Sequence, residues 1–156
     1  MTHAPELTSA SDLTSADYLA GRVKQAYLRL GLENLEEIKS LYTDDVYFED
    51  PSHGVQGKAA LEKYFTNQFQ NLQDCSFKFH QTITNGSDIF MAWTMFLKHP
   101  RLNSGGIIRV EGASYLKTRN GKIYYHRDYF DLGALVYENV PILGRIVSKI
   151  KRRLGQ

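Results

Sequence analysis

Thr43–Phe65 reads TDDVYFEDPSHGVQGKAALEKYF. Residues Val46 to Asp50 alternate as a short strand, stopped by Pro51 and followed by a loop that runs to Gly57. From Lys58 the period changes. Leu61, Tyr64, Phe65 and Phe69 recur at helical spacing and predict a helix over 58–70. A strand, a turn rich in breakers and an amphipathic helix thus occupy under thirty residues, and the architecture depends on what flanks them.

Upstream, Thr14 or Ser15 reads as an N-cap, and Tyr18, Leu19, Val23, Ala26, Tyr27 and Leu30 follow at helical spacing until Gly31. Asn34 with Glu37 resembles a capping box and opens a short helix carrying Leu35, Ile38, Leu41 and Tyr42 on one side. Downstream of Ser76 the period becomes two, with Phe77, Phe79 and Ile83 on one face and Lys78, His80 and Thr82 on the other. Asn85-Gly86 marks a turn. Ile89–Leu97 is apolar on both faces and predicts a central strand covered on both sides. A strand over 107–118, a hairpin at Asn120-Gly121 and a strand over Lys122–Phe130 complete a meander. After Asp131 a helical pattern returns, interrupted at Pro141. Helices first and a curled antiparallel sheet after predict an α+β cone: three N-terminal helices on one sheet face, plus a C-terminal helix. The divisions are a disordered tail over 1–13, one domain over 14–137 and a basic amphipathic helix within 138–156.

A chain of 156 residues buries a sizeable core without staples. Ten Tyr and eight Phe suit either a filled core or a lined cavity. Cys75 is the single cysteine, so no internal disulfide forms. The N-terminus carries no signal-peptide pattern and no run is long enough to span a bilayer, so a cytoplasmic protein is expected. The net charge of +2 hides an asymmetry: without Arg145, Lys149, Lys151, Arg152 and Arg153 the chain holds 14 basic against 17 acidic residues. No base-reading motif accompanies that tail, so no specific nucleic acid is expected. Histidines at 3, 53, 80, 99 and 126 form no ligand pair, and neither metal nor cofactor is expected. Gly105-Gly106 lacks the context of a phosphate loop and reads as a bend.

Two segments resemble a known family. Thr43–Phe65 is similar to the first-strand and third-helix region of NTF2-like proteins, including ketosteroid isomerases and polyketide cyclases. GKIYYHRDYFDLGAL (Gly121–Leu135) resembles the last strand of limonene-epoxide hydrolases and other SnoaL-like proteins. The resemblance covers about residues 14–137 and implies a cone-shaped, cystatin-like fold that pairs as a homodimer through its open sheet face. It further implies that Asp50 stands where the isomerases keep their general base. Asp128 stands where the hydrolases keep an aspartate that helps activate water, and Tyr42 and Tyr47 fall where relatives place pocket tyrosines. Two departures accompany these matches. The isomerase oxyanion positions hold Ala26, with Tyr27 one residue on, and about Ala113. The Arg-x-Asp pair of the hydrolases is replaced by Thr94 and Phe96.

A carboxylate inside an aromatic cavity is poorly solvated and becomes a useful proton carrier. For Asp50 an Asx-turn before Pro51 carries equal weight. For Asp128 the rival is an ion pair with Arg127, which strand alternation puts on the opposite face. Alternation places Tyr124, His126 and Phe130 beside Asp128. His126 is a candidate to orient that carboxylate, against the commoner role of a packing residue. His53 reads as a surface loop residue that could line the pocket mouth, and Phe96 joins the candidate lining. The functional expectation is an apolar pocket for a small hydrophobic molecule, with cofactor-free acid–base chemistry through Asp128 or Asp50, as in an isomerase, cyclase, dehydratase or hydrolase. The alternatives are a non-catalytic or stress-related binding protein, and a dimeric module recruited to a membrane or partner by its tail. In that tail Leu143, Val147, Ile150 and Leu154 share one helical side. Docking of this stripe on the chain's own domain is the expectation, and peripheral membrane contact through 141–156 the alternative.

Overall fold

The computed structural model describes residues 15–154; the tail predicted over 1–13 and the Thr14 cap lie outside them. Helices α1 (Ser15–Tyr27), α2 (Leu35–Ser40) and α3 (Lys58–Gln70) pack on one face of a six-stranded sheet. Its strands are β1 (Tyr42–Glu49), β2 (Gly54–Gln56), β3 (Asp74–Asn85), β4 (Asp88–Lys98), β5 (Ile107–Arg119) and β6 (Lys122–Phe130), in the order β2-β1-β6-β5-β4-β3. Two short helices follow, α4 (Leu132–Leu135) and α5 (Leu143–Leu154). The α+β cone is as expected, but the sheet is mixed. β6 returns beside β1 in parallel, because the whole β3–β5 meander separates the two strands and supplies the long crossover that a parallel pair needs.

The bounds of α3 and β6 coincide with the sequence pattern; those of α1 do not. The helix stops at Tyr27, because the next residues leave it to pair with the sheet. Leu30 N donates to Cys75 O (2.8 Å), and Phe77 N donates to Leu28 O (3.2 Å). Asn34 does not cap α2 through its side chain. Its Oδ1 accepts from Gly31 N (3.1 Å), and its Nδ2 donates to the Ala26 and Arg29 carbonyls (2.7 and 2.9 Å), closing the end of α1 instead. At the β5–β6 hairpin both Asn120 (φ 52°) and Gly121 (φ 71°) take the left-handed conformation that the predicted two-residue turn demands.

Leu19, Val23 and Ala26 of α1, Ile38 of α2 and Leu61 and Phe65 of α3 are buried against Val46, Phe48, Ile89, Met91, Leu116 and Ile123 of the sheet. A second cluster of Cys75, Trp93, Met95, Leu97, Ile108 and Val110 fills the far end. Two bulges override simple alternation. In β3, Phe79 pairs with Trp93 and Thr82 with Met91, so one inserted residue reverses the faces and leaves Ile83 exposed rather than beside Phe77. In β6 the register slips between Ile123 and Tyr125, which turns Tyr124 outward under the Arg119 guanidinium (5.1 Å from the ring). β4, expected to be central and covered on both sides, lies next to the edge strand β3 and is one-sided. Ile89, Met91, Trp93, Met95 and Leu97 are buried on its inner face, whereas Phe90 is exposed and Phe96 half-buried on the outer one. The expected docking of the α5 stripe is also corrected: Leu143, Ile150 and Leu154 are exposed, and Val147 alone of the stripe is half-buried.

Candidate functional site

Between α1, α3 and the inner sheet face lies a cavity of about 340 Å³. Tyr27, Phe48, Phe65, Trp93 and Phe130 supply aromatic wall, and Leu132, Leu135 and Val136 form a roof after β6. Asp50 and Asp128 both reach this cavity, and both also edge a second, more polar depression bounded by Glu49, Pro51 and Arg127. The two carboxylates therefore sit where the apolar chamber meets a polar surface.

Register explains the surroundings of Asp128. Ser114 lies directly across β5, His126 lies two residues back on the same face, and Trp93 sits one strand further. Ser114 Oγ and His126 Nε2 both bond Asp128 Oδ1, at 2.5 and 2.8 Å. An ionised carboxylate only accepts, so His126 donates from Nε2; in that tautomer its Nδ1 is an acceptor. Tyr42 then donates to Nδ1 (2.8 Å), and Tyr27 donates to Tyr42 (2.5 Å). Burial raises the pKa of both hydroxyls well above that of free tyrosine, which keeps them protonated donors. On the other side Trp93 Nε1 donates to Ser114 Oγ (2.9 Å). Two donor chains thus converge on one carboxylate oxygen, and donors aligned head to tail polarise each other.

Asp50 is bound differently. Its Oδ1 accepts from Ser52 N (2.7 Å), Ser52 Oγ (2.7 Å) and His53 N (2.8 Å), which is the Asx-turn foreseen as its rival role. Its Oδ2 accepts from Tyr64 Oη. Burial, followed by this bond to a carboxylate, pushes the Tyr64 pKa up. Asp50 therefore spends both oxygens on holding the turn and Tyr64, while the two bonds to Asp128 leave its Oδ2 for a ligand.

Of the residues named from sequence, Asp50, Asp128, His53 and Phe130 line the cavity. Tyr42 and His126 stand behind Asp128 and are buried, with exposures of 0% and 1%. Tyr47, Tyr124 and Phe96 do not contribute. Tyr47 alternates with buried Val46 and Phe48 and stacks on Tyr125 on the outer face. Tyr124 is turned away by the β6 bulge, and Phe96 lies on the outer side of β4. Sequence reading missed Tyr64, Ser114 and Trp93. Tyr64 was already legible as a member of the α3 apolar stripe, but its contact with Asp50 was not. Tyr27 lines the cavity, whereas Ala26, one residue earlier, is buried in the core. Among the described residues no group of three or more His, Cys, Asp or Glu converges to hold a metal ion.

A family model described as the SnoaL-like domain matches residues 23–126. This chain belongs to the SnoaL-like domain family. Solved structures similar to this SnoaL-like protein include a putative SnoaL-like polyketide cyclase from Jannaschia sp. CCS1. The two share 10% identity and a TM-score of 0.73, over 87% of this chain and 99% of that one. A protein of ketosteroid isomerase-like fold from Catenulispora acidiphila, in complex with trimethylamine, gives 14% identity and a TM-score of 0.69 over 79% and 93%. An epoxide hydrolase from M. tuberculosis resembling limonene-epoxide hydrolases gives 17% and 0.62 over 76% and 84%. These identities establish the shared NTF2-like fold alone. Among curated proteins no sequence matches.

Proposed function

We propose that this SnoaL-like protein binds a compact, largely apolar molecule in its cavity and uses Asp128 as a cofactor-free general base. The carrying observation is the pair of donors on Asp128 Oδ1 from Ser114 and His126, which orients the carboxylate. Asp128 Oδ2 removes a proton from an acidic C–H beside a carbonyl, or from a water attacking an electrophilic carbon, and returns it to the product. Ser114 and His126 keep Oδ1 in place while charge leaves and returns, and the apolar wall limits competing water. Tyr64, held by Asp50, offers a neutral hydroxyl to a polar group of the ligand.

Several solved neighbours bear names of this kind, a polyketide cyclase and an epoxide hydrolase among them. Isomerase, cyclase, dehydratase and hydrolase chemistry can each use a carboxylate base, on a C–H in the first three and on water in the last. A second reading, non-catalytic binding, draws on Asp50, whose bonds all serve the loop and Tyr64. A panel of apolar ketones, quinones and epoxides, ranked by thermal shift and then assayed for turnover, distinguishes the two. Asp128→Asn is expected to retain ligand binding and lose about 10²–10⁴-fold in kcat. Turnover at the wild-type rate in Asp128→Asn removes the acid–base reading. Binding by wild type with no conversion of any ligand leaves the accessory-protein reading.

A further inference from the structure

We propose that α5 docks this protein on anionic membrane surfaces. At about 100° per residue, Leu143, Ile146, Val147, Ile150 and Leu154 fall within an arc of roughly 100°, while Arg145, Lys149 and Arg152 lie beyond it and Lys151 and Arg153 flank its edges. The helix carries no acidic residue. Such a helix has two ways to bury its stripe: against its own domain or against something else.

The structure takes the first way only at Val147, which is half-buried. The side turned to the domain is the line of Gly144 and Lys151. Gly144 is buried so tightly that a Cβ there would meet Glu138 O at 2.2 Å. Lys151 bonds Asp131 Oδ2 (2.8 Å) and pairs with Glu138. Holding that line inward turns the apolar arc outward, where Ile146 is 52%, Ile150 53% and Leu154 83% exposed. Ile142, just ahead of the helix, sits at φ 72°, a conformation that a β-branched residue resists.

Charge decides the occupant. An outward apolar arc flanked and backed by cations, on a helix with no acidic residue, matches the boundary between acyl chains and acidic headgroups. Arg153 flanks the free edge of the arc, where a long cationic side chain reaches headgroups while its stem stays in the apolar layer. Asp131 also caps α4 by accepting from Ala134 N (3.1 Å), and Leu132 and Leu135 of α4 line the cavity. The docking helix is thereby bonded to the cavity's roof.

The test is sedimentation of the full chain with vesicles of phosphatidylcholine alone or mixed with one third phosphatidylserine. Binding to the mixed vesicles is expected, with little to phosphatidylcholine, and with loss near 1 M NaCl, where screening shortens to about 3 Å. Arg152→Glu with Arg153→Glu should weaken it by roughly fivefold or more per cation. Ile146→Ser with Ile150→Ser should abolish it; these side chains are exposed, and an unchanged melting temperature verifies the fold. No binding, or equal binding by either double variant, overturns the proposal. So does conversion of a dimer to a monomer by Ile146→Ser with Ile150→Ser, since a second copy would then cover the arc. Capture of duplex DNA that persists in the isoleucine variant overturns it too. The readout is sedimentation, so it stands or falls independently of turnover.

Discussion

His126 is the hinge of the polar system at the residue scale. With the Nε2 proton committed to Asp128, Nδ1 is the acceptor of that tautomer, and among the described residues Tyr42 is the group placed to donate to it. Tyr42→Phe removes that donor and strands two buried polar atoms, His126 Nδ1 and Tyr27 Oη. The expected cost is about 1–3 kcal/mol in urea denaturation. If the chain positions Asp128, kcat should fall while KM is little changed. Cys75 follows a different logic. Its thiol is buried among apolar residues, and burial, followed by the Asp74 charge, pushes its pKa up to about 12. It should therefore resist a thiol-specific disulfide reagent at pH 8 in the native protein and react fully in denaturant. Rapid native labelling would contradict its placement.

At the scale of elements, the crossing of β4 and β5 depends on a missing side chain. Gly112 lies across from Trp93, and a Cβ at that position would come within 2.3–2.7 Å of three ring carbons. Gly112→Ala forces the indole aside and with it the Trp93 bond to Ser114. Overpacking of this kind costs about 1–3 kcal/mol, and because Trp93 is the single tryptophan, its emission should report the shift directly. The α4–α5 joint responds to pH. The hydrogen bond from Lys151, with the Ala134 amide, holds Asp131 below the usual carboxylate range. A folded value below the unfolded one makes this contribution present above the unfolded pKa, about 3.9, and lost as pH falls through the folded value. The Ala134 amide resonance should thus titrate only below about pH 4, and should stay fixed over that range in Asp131→Asn.

For the whole molecule, the outer sheet face remains to be accounted for. Tyr47 and Tyr115 pack on Tyr125 there (6.0 and 6.1 Å between ring centres), with Phe90 exposed and Phe96 half-buried nearby. Pairing of two chains through this face is our expectation for the assembly. Light scattering should give twice the chain mass, and Tyr125→Glu with Phe96→Glu should give a monomer. A monomeric wild type would sink the idea. Among the described residues no helix is long and apolar enough to cross a membrane.

Helical and strand periods, turn residues and the order of elements were legible from residue spacing alone, because each depends on neighbours within a few positions. That reading sufficed for the α3 and β6 bounds, the Asn120-Gly121 turn and the α+β class. It also put Asp128 opposite Arg127, since alternation holds wherever no bulge intervenes. What the tertiary structure decided was everything that needs two distant segments at once. The bulges that send Tyr124 and Ile83 outward arise from pairing with a partner strand. The return of β6 beside β1 brings His126 to Tyr42, 84 residues away. The contacts of Gly144 and Lys151 choose which side of α5 meets the domain. A local pattern fixes which residues share a face; which face is covered, and by what, is set by long-range packing that no window of sequence contains.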